Sequence, residues 1–179
     1  DRTSRGLGDV YKRQLKKFLD EKKIQKVSLI GHSMGGKTIM NFILNYPSYA
    51  NKVIVVDILP KAYNNDYEKI FNAFSKMDLN NLKSRKQIDE YFSEFFSDYT
   101  FVSFLSKNIN RDSNGNFKIK FNLNSIKSNI LKITSAIKID RVFNEDILFM
   151  KGEYSNYIDN QGLFEAKKSF PKLNLVTIE

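Results

Sequence analysis

Ser33 stands at the apex of Gly31-His32-Ser33-Met34-Gly35-Gly36, a G-x-S-x-G pattern. A serine hydroxyl is a weak nucleophile until its surroundings activate it, so the flanking sequence decides whether this pattern carries chemistry. An apolar run, Val27-Ser28-Leu29-Ile30, leads in, and Lys37-Thr38-Ile39-Met40-Asn41-Phe42-Ile43-Leu44 leads out as a helix. Strand, tight turn and helix are the context in which such a serine is a nucleophile elbow. Gly31 and Gly35 are expected to leave room where side chains would collide with the neighbouring strand or helix. The turn lifts the serine oxygen clear of the sheet at the positive end of the helix. There the amide of Met34 is expected to donate to an oxyanion formed during attack on an acyl carbonyl. A glycine-rich turn closing a βα unit would not by itself require a serine at its apex.

Further elements must hold this turn. Leu15-Lys16-Lys17-Phe18-Leu19-Asp20-Glu21 places Leu15, Phe18 and Leu19 on one helical face with charges opposite. The helix after Ser33 is expected to stop at Tyr46-Pro47, because proline disfavours helical geometry in the residue before it. Lys52-Val53-Ile54-Val55-Val56-Asp57-Ile58 is apolar and β-branched, as a strand buried on both faces of a parallel sheet should be. Asp146 to Gly152 reads as a third such strand, followed by a helix at Gln161–Ser169 and a strand at Leu173–Ile178. Strands alternating with crossover helices give an α/β fold with a parallel sheet.

Between residues 60 and 140 the pattern becomes mostly helical. Asp66–Met77 carries Tyr67, Ile70, Phe71 and Phe74 on one side. Ser84-Arg85-Lys86-Gln87 is a capping-box start, opening a helix with Ile88, Tyr91, Phe92, Phe95 and Phe96. A short helix holds Phe101, Val102, Phe104 and Leu105. Asp112-Ser113-Asn114-Gly115 is a turn before the alternating strand Phe117–Phe121. Asn124 is expected to cap a helix bearing Ile126, Ile130, Ile133 and Ile137. An insertion at the carboxyl end of a parallel strand is where such folds carry substrate pockets.

The 179 residues suffice for one hydrophobic core. There is no cysteine, so neither a disulfide framework nor thiol chemistry is available. No apolar stretch approaches the roughly 20 residues that span a bilayer. The formal charge of +9 comes from lysines spread along the chain rather than gathered in a stripe, which argues for a basic surface and against nucleic-acid binding. Residues 1–14, DRTSRGLGDVYKRQ, lack hydrophobic periodicity. Residues 9–14 are those that GAT GTG TAT AAG AGA CAG would encode, a string resembling a transposon end used in preparing sequencing libraries. This segment is expected to be an assembly scar or a disordered native tail, outside the fold.

Four stretches together resemble the α/β-hydrolase superfamily, and within it the small bacterial esterases and their mitochondrial relatives. They are GHSMGGK at 31–37, VDILPKAY at 56–63, FLSKN at 104–108 and KGEYSNYI at 151–158. Asn65 and Asp66 stand where relatives often carry histidines. The resemblance implies a hydrolase core at 15–59 and 141–179, a helical lid at 60–140, and an earlier strand beside Val27–Ile30. It also implies Ser33 as nucleophile and Asp57 as the acid of a Ser-His-Asp triad. In most of the superfamily the acid instead follows the strand represented here by residues 147–151, where Ser155 stands and where Glu153 is the available carboxylate. His32 is the only histidine; next to Ser33 on the elbow, it is expected to point away from it into the βα packing. The resemblance puts the catalytic histidine after Leu175-Val176-Thr177-Ile178, and half of the oxyanion hole before residue 15. The expected protein is therefore a serine hydrolase of small carboxylic esters or thioesters, with this stretch of it nearly inactive. Acyl transfer to an alcohol on the same triad, and a non-catalytic binding module on the same fold, are the alternatives. No cofactor or metal is implied, the partner is a small acyl substrate, and the compartment is expected to be cytoplasmic.

Overall fold

Tyr11, Leu15 and Leu19 recur every four residues, and this stripe turns the first helix, α1 (Leu7–Glu21), toward the interior. Leu19 is buried, Leu15 packs against the core, and Phe18, expected on the same face, is exposed. The computed structural model describes residues 7–64 and 66–179. Helix α1 therefore runs back through residues 7–14, which were expected to lie outside the fold. The helical register continues through Tyr11, so the chain has a reason to stay wound there. Residues 1–6 and Asn65 lie outside the described residues.

The chain divides into two units, one reaching to Tyr63 and resuming at Leu131, the other spanning Asn64–Ile130. The first holds a sheet of β1 (Val27–His32), β2 (Ala50–Val56), β5 (Ile147–Gly152) and β6 (Leu173–Ile178), adjacent in that order and all parallel. Helices α1, α2 (Met34–Asn45) and α7 (Asn160–Lys167) connect and cover them. Gly31, Val55, Phe149 and Leu175 sit side by side across the sheet. Leu29, Val53, Val55, Ile147 and Phe149 meet Ile39, Met40, Phe42 and Ile43 of α2 in one buried cluster. Burying one such large side chain stabilises by about 2 kcal/mol, and Phe42 is wholly enclosed.

The opposite face is less covered than the apolar run in β2 predicted. Ile54 and Val56 are half-buried, and Ile30 is 72% exposed. Among the described residues, β1 is an edge strand. Leu29 is nevertheless buried, because it points toward the helices while Ile30 points away.

The inserted unit contains α3 (Glu68–Lys76), α4 (Arg85–Ser93), α5 (Tyr99–Ser106), β3 (Ile109–Arg111), β4 (Phe117–Ile119) and most of α6 (Leu123–Thr134). Phe74, Ile88, Phe92, Val102, Leu105, Ile109 and Phe117 form its own core. Ser84 caps α4 by accepting from the Gln87 amide at 3.3 Å, while the Gln87 side chain reaches back to the Lys83 amide at 2.7 Å. At α6 it is Asn122 that caps, accepting from the Ser125 amide at 2.9 Å, and Asn124, expected in that role, lies inside the helix. Asp66 accepts from the Glu68 amide at 3.0 Å, a local turn contact. The inserted unit is narrower than residues 60–140. Pro60–Tyr63 and 134–137 bind each other within the first unit: Tyr63 N–H donates to Thr134 O, and Ile137 N–H to Pro60 O, both at 2.9 Å.

Candidate active site

Ser33 and Asp57 leave adjacent parallel strands at the same level. His32 pairs in register with Val56, the Ser33 amide donates to Val56 O at 3.1 Å, and the Asp57 amide donates to Met150 O at 2.8 Å. Both have positive φ, 51° for Ser33 and 52° for Asp57, a conformation non-glycine residues adopt at a cost of about 1–3 kcal/mol. Such strain persists only where surrounding contacts enforce it. At Ser33 they are visible. A Cβ on Gly31 would lie 2.5 Å from Gly35 O, and one on Gly36 would lie 2.4 Å from Ile58 Cγ2. A Cβ on Gly35 would meet nothing within 4 Å. The steric requirement assigned to Gly31 and Gly35 thus falls on Gly31 and Gly36, because the first turn of α2 packs against the sheet through Gly36.

Ser33 occupies the N-cap of α2, with ψ −119° and no capping hydrogen bond from its side chain. Its hydroxyl is therefore not spent on the helix end. Met34 begins α2, and its N–H is among the first-turn amides that lack an intrahelical acceptor. With the helix dipole, this makes the space around Ser33 favourable to developing negative charge. His32 does not enter the βα packing as expected: strand alternation turns it, with Ser28 and Ile30, to the open face of β1, where it is exposed.

The Asp57 carboxylate is held on one side only. Ser155 donates its hydroxyl to Asp57 Oδ2 at 2.7 Å, and Ser155 Oγ in turn accepts from the Tyr157 amide at 3.2 Å. Asp57 Oδ1 is buried, and no described residue donates to it. Buried carboxylate oxygens ordinarily have partners, so this orphan marks an unfilled acceptor. Glu153 is exposed, and its amide donates to Ile178 O at 2.9 Å.

Ser155 is the residue that sequence reasoning passed over. At the place after β5 where the resemblance implied an acid in most of the superfamily, it supplies a donor to Asp57 instead. A hydroxyl just past the strand neighbouring that of a candidate carboxylate, in KGEYSNYI, is the signal that could have pointed to it. Below Asp57, Tyr63 is a second anchor: its hydroxyl accepts from the Leu59 amide and donates to Tyr157 O, each at 2.8 Å. Burial pushes the Tyr63 phenol up to about 12, so it remains a donor at any ordinary pH. Tyr63 and Tyr157 pack with ring centroids 5.3 Å apart, which fixes the segment bearing Ser155.

A family model described as the alpha/beta hydrolase fold matches residues 6–179. The chain is 31% identical over 168 residues to an abhydrolase domain-containing protein of Schizosaccharomyces pombe, an alignment covering 90% of this chain and 62% of that one. It is 27% identical to the sn-1-specific diacylglycerol lipase ABHD11 of Danio rerio, with 91% and 53% covered. Among solved structures, an esterase described as from a marine microorganism superposes with a TM-score of 0.89 at 36% identity, covering 96% of this chain and 68% of that one. The chain thus spans a little over half the length of the curated relatives it matches. Among the described residues no helix is long and apolar enough to cross a membrane.

Proposed function

Because the chain belongs to the α/β-hydrolase family, we propose that it carries the nucleophile and acid of a serine hydrolase acting on small carboxylic esters or thioesters. The observation that carries this reading is the pair of strained strand ends: Ser33 with an uncommitted hydroxyl at a helix N-terminus, and Asp57 with an open buried acceptor one strand away. Two of the similar proteins bear the names esterase and diacylglycerol lipase, which supports an acyl ester as the substrate class.

In this mechanism a histidine donates one ring N–H to Asp57 Oδ1 and takes the Ser33 proton on its other nitrogen as the serine attacks. The carboxylate fixes the ring and stabilises the imidazolium, and Ser155 fixes the carboxylate. The Met34 amide donates to the tetrahedral oxyanion. The proton then passes from the imidazolium to the leaving alcohol or thiol, and water repeats the sequence on the acyl-enzyme. The base is a histidine other than His32, which faces the other side of β1, and the 179 residues contain no further one.

The chain is assayed against a short-chain aryl ester with and without added imidazole, which can occupy the Asp57 acceptor. After subtraction of the protein-free imidazole rate, hydrolysis that rises with imidazole and disappears in Ser33→Ala is the expected result. Imidazole-dependent hydrolysis above that protein-free rate, equal in size in Ser33→Ala, would reject the nucleophile.

A further inference from the structure

The first turn of α2 contains a lysine that the proposed chemistry does not use. Lys37 is only 5% exposed, and among the described residues no carboxylate forms an ion pair with it. Its ammonium donates to Thr134 O at 2.9 Å and Ser135 O at 2.7 Å. It lies 5.0 Å from the centroid of the Tyr63 ring. Tyr63 ends the segment leading out to the inserted unit, and Thr134 and Ser135 open the segment returning from it. The Lys37 backbone N–H meanwhile donates to Ser33 O at 3.1 Å. One residue therefore joins the nucleophile turn to both connecting segments.

We propose that Lys37 makes this hinge respond to protonation, the buried ammonium favouring separation of Pro60–Tyr63 from 134–137 and the neutral amine favouring their closure. Removing an ammonium from water is costly, and two carbonyl dipoles and a ring face carry no net charge to offset it. The neutral amine keeps two N–H donors, enough for both carbonyls, without a desolvated charge. Burial accordingly pushes Lys37 from 10.5 down to about 8. Separation of the segments returns the side chain to water and to its ordinary value.

The closed hinge binds fewer protons than the open one between pH 8 and 10.5. Closure therefore strengthens as pH rises through that window and levels off below it. Lys37 is the only ionisable side chain of α2, and residues 134–137 contribute none. From the outgoing side, Tyr63 and Lys61 face the same space, Lys61 held by an ion pair to Asp159 and lying 5.3 Å over the Tyr63 ring. Asp57 lies close enough to act on the Tyr63 phenol.

Quench-flow hydrogen exchange on the 179-residue chain from pH 6.5 to 10, corrected for intrinsic rates, tests this on the Tyr63 and Ile137 amides. Their protection is expected to be flat below pH 8 and to rise about a hundredfold by pH 10, following the displaced protonation. The β2 and β5 strand amides serve as the internal reference. Lys37→Met should give a flat profile, and Lys37→Arg, always charged, a flat and low one. Wild-type protection that stays level would overturn the proposal. So would protection that falls with pH, which would make the ammonium a latch instead. Should the variants fail to fold, the sign of the wild-type slope decides alone.

Discussion

The turns at Ser33 and Asp57 have nearly the same φ, yet different parts of the molecule impose it. At Ser33 the cause is local. Gly31 and Gly36 let α2 start against the strand: the Gly35 backbone stands where a side chain on Gly31 would be, and the Ile58 side chain where one on Gly36 would be. At Asp57 the cause is distant: Met150 O accepts from its amide, and Ser155, 98 residues further along the chain, donates its hydroxyl to the carboxylate. One strained residue is set by its neighbours in sequence, the other by its neighbours across the sheet.

The largest expected effect removes the distant partner's purpose. In a preparation supplied with the base, by imidazole or by a longer chain, Asp57→Asn should lower turnover by about 10⁴-fold, as loss of a triad aspartate does elsewhere. Steady-state hydrolysis of an aryl ester measures it. A drop under tenfold, with Glu153→Gln the more damaging change, would move the acid to the later strand.

Next comes Gly31→Ala, which thrusts a methyl into the Gly35 carbonyl. It should cost several kcal/mol of unfolding free energy in urea, in the manner of other strained special-φ/ψ sites and overpacked positions. Gly35→Ala, with open space around it, should change stability by under about 1 kcal/mol. Equal losses at both positions would mean that the local account of the Ser33 turn is wrong.

Ser155→Ala sharpens the comparison from the other side. A hydrogen bond to a charged group is worth about 1.5–3 kcal/mol, so turnover should fall by roughly 10–100-fold with KM little changed. An unchanged rate would leave Asp57 positioned by its backbone alone. The smallest effect expected is at the Ser84 cap, where Ser84→Ala should cost about 1 kcal/mol. Thermal unfolding of the inserted unit reads it, and the Ser33 chemistry should not respond.

This difference between local and distant causes also governs what could be read from the chain. The parallel α/β order was legible because each strand–helix pair carries its signal in contiguous residues: β-branched Val53 to Val56, the helix stop at Tyr46-Pro47, the glycines around Ser33. The turn at Ser33 belongs to that class. The contact between Ser155 and Asp57 does not, since only strand order brings the two loops together. Phe18 and Leu19 show the limit at finer scale. Both fit an apolar stripe, and only the packing of α1 on α2 decides that Leu19 goes in and Phe18 stays out. Likewise the strand Ile109–Arg111 is too short to announce itself, and exists because Phe117–Ile119 is there to pair with it.

The outgoing and returning segments at Tyr63 and Thr134 meet in one hydrogen-bonded step. Everything between them hangs from a gap a few ångströms wide. A short two-residue turn could bridge that gap at little entropic cost. Excising residues 64–133 in its favour should leave the four parallel strands and both strained turns standing. The same closeness lets this stretch be exchanged for another of different length without disturbing the sheet or either strained turn.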